Sequence, residues 1–283
     1  MKSFIVKEKC NLKYHADFNC PQASFCFFSL LRNKDIKVNG VRVSKNVKLE
    51  EGDEVEYYLS PSQQALITHN TVYEDENIII ADKYSGVTSE GLLAELRQTG
   101  EYYAVHRLDR NTEGLIVFAK TGNAEKALSE AFAYRKIQKS YLAVCKNAFK
   151  KQEDILCAYL LKDSKNSRVS ISDKPVSGAV KIITEYSVLE RRGDTALVKI
   201  ILHTGKTHQI RAHLAHIGCP VLGDGKYGDE IMNKKYKCKR QRLVAKSLKF
   251  SLNGDLQYLN DKIFESAFIP DVACSDDAKR KRQ

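Results

Sequence analysis

Residues 106–114 (HRLDRNTEG) hold the side chains best suited to chemistry on a phosphate-bearing substrate. A single carboxylate, Asp109, stands between Arg107 and Arg110. Guanidinium groups within a few ångströms favour the ionised form of a carboxyl group, and two of them together form a donor pair suited to phosphate. A turn aspartate neutralised by surface arginines has the same residues. On this stretch alone that simpler case is the commoner one, because exposed ion pairs are frequent and weak.

The elements that follow this stretch are predicted from hydrophobic pattern. Residues 115–119 (LIVFA) form a continuous apolar run, which is typical of a strand covered on both faces. Asn123 is expected to cap the next helix. Residues 141–145 then predict a strand that begins at Tyr141, a position where a core tyrosine is ordinary.

A second helix is predicted over residues 207–217. Ile210, Leu214 and Ile217 recur at i, i+4 and i+7, and a glycine and a proline follow the last of them. Arg211 lies next to this apolar stripe, where a side chain can enter a cleft while its backbone stays packed. Without further information, a boundary arginine that extends to water explains it equally well.

Two further blocks accompany the Asp109 stretch. Residues 202–214 (LHTGKTHQIRAHL) and residues 218–228 (GCPVLGDGKYG) follow it, and Lys139-Ser140-Tyr141 lies between. Together, over roughly residues 70–250, these blocks resemble the RluA-type pseudouridine synthases, and several blocks in order are more specific than one. The resemblance implies an α+β pseudouridine synthase fold with a central mixed, largely antiparallel sheet.

The resemblance also implies an activity: isomerisation of specific uridines in RNA to pseudouridine, with Asp109 as the essential carboxylate. Asp109 either attacks the sugar or base covalently or abstracts a sugar proton to give a glycal. The sequence leaves both routes open, since each needs a carboxylate. No redox or metal step is required, and we expect no cofactor.

The remaining site residues are assigned by the same resemblance. Arg211 pairs with the catalytic carboxylate, and Arg107 fills the gap left by the flipped base. Tyr141 stacks on the target base and moves the final proton. Further contacts with RNA are expected from Arg110, Lys206 and His208.

The chain departs from the commonest family form at three positions. Tyr84 stands where the family usually has proline, which loosens a turn by freeing φ. Asn111 and Glu113 follow the catalytic aspartate, so they affect fine positioning rather than the type of reaction.

The composition is that of a globular protein with a basic surface. The chain has 283 residues, 43% of them apolar, and 46 Lys and Arg against 35 Asp and Glu give a net charge of +11. That surplus suits a polyanion such as RNA. The eight cysteines include no Cys-x-x-Cys pair, which indicates reduced thiols rather than a zinc site. No apolar run is long enough to span a membrane, and we expect a soluble, cytoplasmic monomer.

The first 61 residues are predicted to form a separate unit. A helix over residues 24–32, an Asn-Gly hairpin at residues 36–43 and a turn and strand over residues 49–58 resemble the S4 RNA-binding module. Basic side chains, Lys37 and Arg42 among them, favour a phosphate-binding face over a purely structural lobe. This unit favours ribosomal RNA over transfer RNA as the partner.

The rest of the chain is predicted with less detail. A linker at residues 60–64 leads into a catalytic domain over residues 62–270, and residues 271–283 form a basic tail. Residues 146–176 are polar and are expected to form loops or weak hairpins. Strands over residues 179–189 and 195–202 follow, and residues from 241 onward add a final strand or two.

Two alternatives from other classes compete with an RNA isomerase. The first is a metal-dependent hydrolase that uses histidines 203, 208, 213 and 216. On a helix His208 and His213 point about 140° apart, and no acidic ligand completes the set, which argues against it. The second is an RNA-binding protein that kept the fold and lost activity. A decayed enzyme would be free to lose Asp109, Tyr141 or Arg211, yet all three are present.

Overall fold

The computed structural model describes residues 1–163 and 168–271, arranged as a small N-terminal lobe and a larger sheet domain. Apart from Asp271, the predicted basic tail lies outside the described residues. Within the described part of the chain, none of the helices combines the length and the apolarity needed to cross a membrane.

The N-terminal lobe has its own sheet and its own core, to which buried side chains from Val6 to Leu59 contribute. Its elements are β1 (Lys2–Ile5), β2 (Cys10–Asn11), α1 (Leu12–Asn19), α2 (Pro21–Asn33), β3 (Ile36–Val38), β4 (Val41–Arg42), β5 (Lys48–Leu49) and β6 (Glu54–Tyr57). The strands pair in the order β1-β6-β3-β4, and β2 pairs separately with β5. Side chains from α1 and α2, such as Leu12, Phe27 and Leu30, fill the core against β6.

The helix predicted from residue 24 begins earlier, at Pro21. A proline at the first helical position loses nothing, because its missing N–H would have no partner inside the helix. Phe28, in the second half of this helix, is 71% exposed. The predicted linker is a short helix, α3 (Pro61–Gln64). Ser60 and Gln63 form a reciprocal capping box at its start.

The sheet domain contains the other strands and helices. The strands are β7 (His69–Glu74), β8 (Ile78–Lys83), β9 (Tyr103–Ala104), β10 (Glu113–Ala119), β11 (Ile137–Lys146), β12 (Glu153–Asp163), β13 (Arg168–Ser172), β14 (Val180–Arg192), β15 (Thr195–Leu202), β16 (Leu243–Phe250) and β17 (Ile263–Glu265). The helices are α4 (Ser89–Leu96), α5 (Gly122–Ala133), α6 (Gln209–His216) and α7 (Glu230–Lys235), with a 3₁₀ helix at Gly254–Leu259.

One 11-stranded sheet runs through this domain in the order β13-β12-β14-β15-β11-β16-β10-β8-β7, with β9 beside β10 and β17 beside β16. Strands β10 and β16 pair in parallel. The other pairs in this sheet, among the described residues, are antiparallel. The predicted α+β class with a mixed, largely antiparallel sheet is therefore confirmed.

Strand β10 confirms the prediction of a strand covered on both faces. Ile116 and Phe118 contribute to one hydrophobic core, and Leu115 and Val117 contribute to a second core on the other side of the sheet. Successive side chains of a strand point to opposite faces, so a strand buried on both faces has no polar alternation. This strand fixes the segment that carries Asp109 to the middle of the domain.

Of the two forms predicted for residues 146–176, loops or weak hairpins, the structure has the second, because β12 and β13 pair antiparallel near the sheet edge. One local prediction was wrong. The cap of α5 is Thr121, whose side chain accepts the Ala124 N–H, so Asn123 lies inside the helix. The strand predicted at residues 195–202 is present with the same bounds, and the helix predicted at 207–217 and the strand predicted at 179–189 are present with shifted ends.

Candidate active site

A cleft opens between the Asp109 loop (residues 106–112), the start of β11 and the N-terminal end of α6. The polar and aromatic side chains at its walls come from segments far apart in sequence: Arg107, Asp109, Lys139, Tyr141, Lys206 and Arg211. His208 also lines it. The structure therefore brings together six of the residues proposed from sequence and adds Lys139.

Asp109 and Arg211 are in direct contact at this cleft. The Arg211 Nη1 group donates to Asp109 Oδ2 over 2.7 Å, although 102 residues separate the two in sequence. The Arg211 side chain is 8% exposed and that of Asp109 is 20% exposed. A charge-assisted hydrogen bond in such a partly desolvated place holds both groups in a defined orientation.

Arg211 is itself held by a second carboxylate, Asp224. Its Nε and Nη2 groups donate to the two oxygens of Asp224 over 2.7 and 2.9 Å. Burial alone would lower the pKa of Arg211, but the hydrogen bonds and charges of Asp224 and Asp109 raise it above its usual value. Burial likewise opposes ionisation of Asp224, yet Arg211 and the N–H groups of Lys226 and Tyr227 hold the pKa of that carboxyl below its usual range.

Tyr227 connects this pair to His208. The Tyr227 ring lies 5.2 Å from the Arg211 guanidinium carbon, and its hydroxyl is 2.9 Å from His208 Nδ1. The Val169 N–H donates to the same hydroxyl oxygen over 2.9 Å. The other imidazole nitrogen of His208, Nε2, lies 3.9 Å from Asp109 Oδ2. Burial lowers the pKa of His208 and outweighs the charge of Asp109, so the ring faces the carboxylate in neutral form.

Tyr141 is placed by strand pairing. It lies opposite Ile200 of β15 and Ala245 of β16, and Ala245 in turn lies opposite Gly114 of β10. A Cβ on Gly114 would come within 2.3 Å of the Ala245 carbonyl oxygen, so only glycine permits this approach at a φ of +106°. The glycine that closes the Asp109 stretch thus sets the distance between that loop and Tyr141.

The Tyr141 hydroxyl is expected to stay protonated at neutral pH. Burial raises the pKa of this phenol, and the negative charge of Asp109 acts in the same direction. The cleft therefore presents a phenol next to a carboxylate, rather than two anions.

The Asp109 loop is held by hydrogen bonds from Lys83, at the end of β8, and from Ser89, at the start of α4. The fully buried Lys83 ammonium donates to the carbonyl groups of Tyr84, Val87 and Arg110 over 2.9 to 3.2 Å. Ser89 bonds both the N–H and the carbonyl group of Leu108. These contacts fix the backbone on both sides of Asp109.

The expectation that Arg107 and Arg110 flank Asp109 as one phosphate-binding fork was wrong. Arg107 remains exposed at the cleft and pairs with Glu90 over 3.3 Å. Arg110 turns away and donates to Asp17 of the N-terminal lobe over 2.7 Å. Residues in an extended loop point in different directions, so proximity in sequence does not bring their side chains together. The ion pair of Asp109 comes from Arg211 instead.

The basic residues proposed in the N-terminal lobe lie away from this cleft. Lys37 and Arg42 stand on the β3–β4 hairpin, 5.2 and 5.3 Å from the centre of the Tyr58 ring. Lys37 also approaches Glu56 at 3.9 Å. The two cations and the aromatic ring form one local patch on that lobe.

The four histidines considered as metal ligands are directed to separate partners. His203 contacts Glu185, His213 contacts Thr184 and His216 contacts Asp173. Within residues 1–163 and 168–271, no group of three or more His, Cys, Asp or Glu side chains is arranged to hold a metal ion.

Comparison with known proteins identifies the family. The sequence model described as RNA pseudouridylate synthase matches residues 69–216, just over half of the chain. The chain belongs to the RNA pseudouridylate synthase family. The ribosomal large subunit pseudouridine synthases C of Salmonella typhi and Escherichia coli K12 are each 32% identical to it over 80% of both chains. The RluA-type resemblance is thereby confirmed.

Solved structures agree with this family. Human RNA pseudouridylate synthase domain containing 1 superimposes with a TM-score of 0.58 at 25% identity, over 65% of this chain and 79% of that one. Human RNA pseudouridylate synthase domain containing 4 has the same fold, with a TM-score of 0.54 at 19% identity, over 68% of this chain and 91% of that one. As a pseudouridine synthase, the present enzyme is an isomerase.

The family match covers only part of the site of this pseudouridine synthase. Asp109, Tyr141 and Arg211 lie within residues 69–216, whereas Asp224 and Tyr227 lie beyond them. Asp224 belongs to one of the sequence blocks, but the sequence alone indicates no role for it. The residues around Asp224 in the sequence do not indicate which group its carboxylate binds. The two hydrogen bonds from Arg211 are visible only in the folded structure.

Proposed function

We propose that this pseudouridine synthase converts specific uridines of large-subunit ribosomal RNA to pseudouridine, with Asp109 as the catalytic carboxylate. One observation carries the assignment of the site: an ion pair between Asp109 and Arg211 at a cleft that also contains Tyr141. The names of the relatives from Salmonella typhi and Escherichia coli support the choice of RNA.

The reaction breaks the C–N glycosidic bond of uridine, turns the base and forms a C–C bond between the sugar and C5. A carboxylate can begin it by adding covalently or by removing a sugar proton, and both routes require an ionised Asp109 of fixed orientation. Arg211 supplies that orientation, because Asp224 occupies its other two donor groups and leaves Nη1 for Asp109.

Tyr141 is suited to the last step, in which the C5 proton leaves the base. Its protonated phenol can stack on the uracil ring and exchange protons with it. When Asp109 loses its negative charge in a covalent adduct or on protonation, one of the two causes of the raised Tyr141 pKa disappears. Ionisation of the phenol thus becomes easier at the stage where a base is needed.

Entry of the uridine requires that its base leave the RNA stack. Extrusion of a nucleotide costs a few kcal/mol, and a planar cation that takes its place recovers part of that energy. Arg107 fits this role because its side chain lines the cleft and remains 66% exposed.

RNA phosphates are proposed to contact two groups of cations. Lys206 and Lys139 line the cleft itself, and the neutral ring of His208 beside Asp109 can add a hydrogen bond to the RNA there. The hairpin cations Lys37 and Arg42 form the second group, in a lobe that resembles the S4 module. Arg110 is not included, because its guanidinium is bonded to Asp17, Ser24 and Gly86.

The function is tested by mapping pseudouridines in total RNA from a strain that lacks the gene. The same strain carrying the wild-type gene or Asp109→Ala provides the comparison. We expect discrete large-subunit ribosomal RNA sites to disappear on deletion and to return only with the wild-type gene. Sites that return with Asp109→Ala would reject Asp109 as the catalytic carboxylate, and loss confined to transfer RNA would reject the substrate.

A further inference from the structure

The N-terminal lobe reaches the Asp109 loop at Asp17, near the end of α1. Its carboxylate accepts a hydrogen bond from Arg110 Nη1 over 2.7 Å. Its main-chain carbonyl accepts a second bond, from the Thr88 hydroxyl over 2.5 Å. Thr88 is the cap of α4, and Arg110 directly follows Asp109. One residue of the lobe therefore contacts both the loop of Asp109 and the segment beneath it.

Asp17 is the anion in a compact cluster of charges. Its other carboxylate oxygen accepts bonds from Lys13 and from Ser24, and the Ser24 hydroxyl also accepts a bond from Arg110 Nη2 over 3.1 Å. The Asp17 side chain is only 13% exposed. Burial lowers the pKa of Lys13, and the charge of Arg110 adds to that effect. Without Asp17, the cations of Lys13 and Arg110 would face each other with little solvent between them.

The two parts of the chain are also closely packed around this cluster. A Cβ on Gly91 of α4 would lie 2.6 Å from the Asp17 carbonyl oxygen and 3.2 Å from Pro21, so no side chain fits there. Gln22 donates to Glu95 over 2.9 Å, and Phe25 packs against the core of the sheet domain. These contacts give the lobe one defined position against α4.

Arg110 transmits this position to the loop that carries Asp109. Its side-chain Nε donates to the Gly86 carbonyl over 3.1 Å, while its own carbonyl accepts the Gly86 N–H over 2.8 Å. Its side chain and its backbone are thus both fixed. A shift of the guanidinium would act directly on the peptide bond between residues 109 and 110.

We propose that Asp17 is a positioning residue for the isomerisation, through which the N-terminal lobe holds the Asp109 loop in its active geometry. This inference rests on the proposed role of Asp109. The lobe then serves the chemical step itself, in addition to any contact it makes with RNA.

The test is single-turnover kinetics on a large-subunit ribosomal RNA transcript labelled with tritium at C5 of uridine, which is released when the C–C bond replaces the C–H bond. Asp17→Ala should lower the maximal rate about tenfold and leave the enzyme concentration at half-maximal rate within about twofold. Asp17→Asn, which keeps the shape of the side chain, should lower the rate less. Glu50→Ala, which removes an exposed carboxylate paired with Lys9 in the same lobe, should leave the rate unchanged.

A double-mutant cycle separates positioning from a general loss of structure. The effect of Asp17→Ala should disappear in an Arg110→Ala background, because the contact that transmits it is already absent. A loss of rate that persists at full size in that background would assign Asp17 a structural role in α1 and overturn the proposal. So would a wild-type maximal rate in Asp17→Ala, or an effect confined to the half-maximal concentration. Wild-type enzyme and Asp109→Asn, measured in parallel, report separately on the proposed function.

Discussion

Arg211 donates two parallel hydrogen bonds to Asp224, and this arrangement directs its third donor group at Asp109. The bonds from Nε and Nη2 to Asp224 measure 2.7 and 2.9 Å, and the bond from Nη1 to Asp109 measures 2.7 Å. The Asp224 side chain is completely buried. The orientation of the candidate catalytic carboxylate thus depends on a second carboxylate that the substrate cannot reach.

Asp224→Asn should therefore impair the chemical step, although the side chain at this position is buried and does not contact the RNA. The amide keeps one acceptor oxygen but turns an N–H₂ group toward a guanidinium, so Arg211 can no longer hold its fixed position. Misplacement of a reacting group by about 1 Å reduces rates about 100-fold, and we expect a loss on that scale in the maximal single-turnover rate. Asp173→Asn, which breaks an exposed pair with His216, is the matched control. A wild-type rate in Asp224→Asn would contradict the dependence of Asp109 on Asp224.

The buried Lys83 should give the free energy of unfolding an unusual dependence on pH. Burial lowers the pKa of this ammonium from 10.5 to about 7 in the folded protein. Between about pH 7 and pH 10 the unfolded chain then binds one more proton than the folded one, so the free energy of unfolding rises with pH, by up to about 1.4 kcal/mol per pH unit. Below about pH 7 both states carry the charge and this slope ends.

Urea unfolding of the wild type and of Lys83→Met at pH 7, 8 and 9 checks this prediction. The two proteins share every other titrating group, so the difference between their slopes isolates Lys83. The wild type should gain more stability with pH than the variant. The variant should also be less stable at pH 9, because the neutral amine of Lys83 still has two N–H groups to donate to the carbonyl groups around it, and each carbonyl group left unpaired costs about 1–3 kcal/mol. Parallel stability curves would show that Lys83 keeps an ordinary pKa.

Lys139 should contribute measurably to the salt dependence of RNA binding. Its ammonium lies 5.4 Å from the centre of the Phe132 ring and lines the cleft, and burial lowers its pKa. Each phosphate neutralised on a single strand contributes about 0.7 to the slope of log K against log salt concentration. Lys139→Gln should therefore reduce that slope by about 0.7, whereas Lys150→Gln, which removes an exposed charge outside the cleft, should not. Equal slopes for the two variants would show that Lys139 does not contact an RNA phosphate.

The parts of the fold that could be predicted from sequence are those whose local pattern matches their final environment. The apolar run of β10 predicted a strand buried on both faces, because such a strand has no solvent side to alternate with. Strands β12 and β13 were predicted less definitely, as loops or weak hairpins. They lie near the sheet edge, where many side chains face water, and loops have the same polar pattern.

The candidate site was predictable where a motif carried it and unpredictable where folding decided the partner. Asp109, Arg211 and Tyr141 belong to blocks whose order is informative, and the structure places all three at one cleft. The local charges around Asp109 were misleading. Arg110 pairs with Asp17, 93 residues away in sequence, and no local spacing reveals a contact of that range.

Asp109 is proposed to perform the chemistry and not to hold the RNA. A comparison of Asp109→Asn with wild type in two assays tests this proposal. Tritium release from C5-labelled large-subunit ribosomal RNA measures the reaction, and filter binding to the same RNA measures affinity. We expect no detectable release from Asp109→Asn and an affinity within about threefold of wild type, since the amide keeps the shape of the side chain. Tritium release by Asp109→Asn at a rate close to wild type would contradict the proposal.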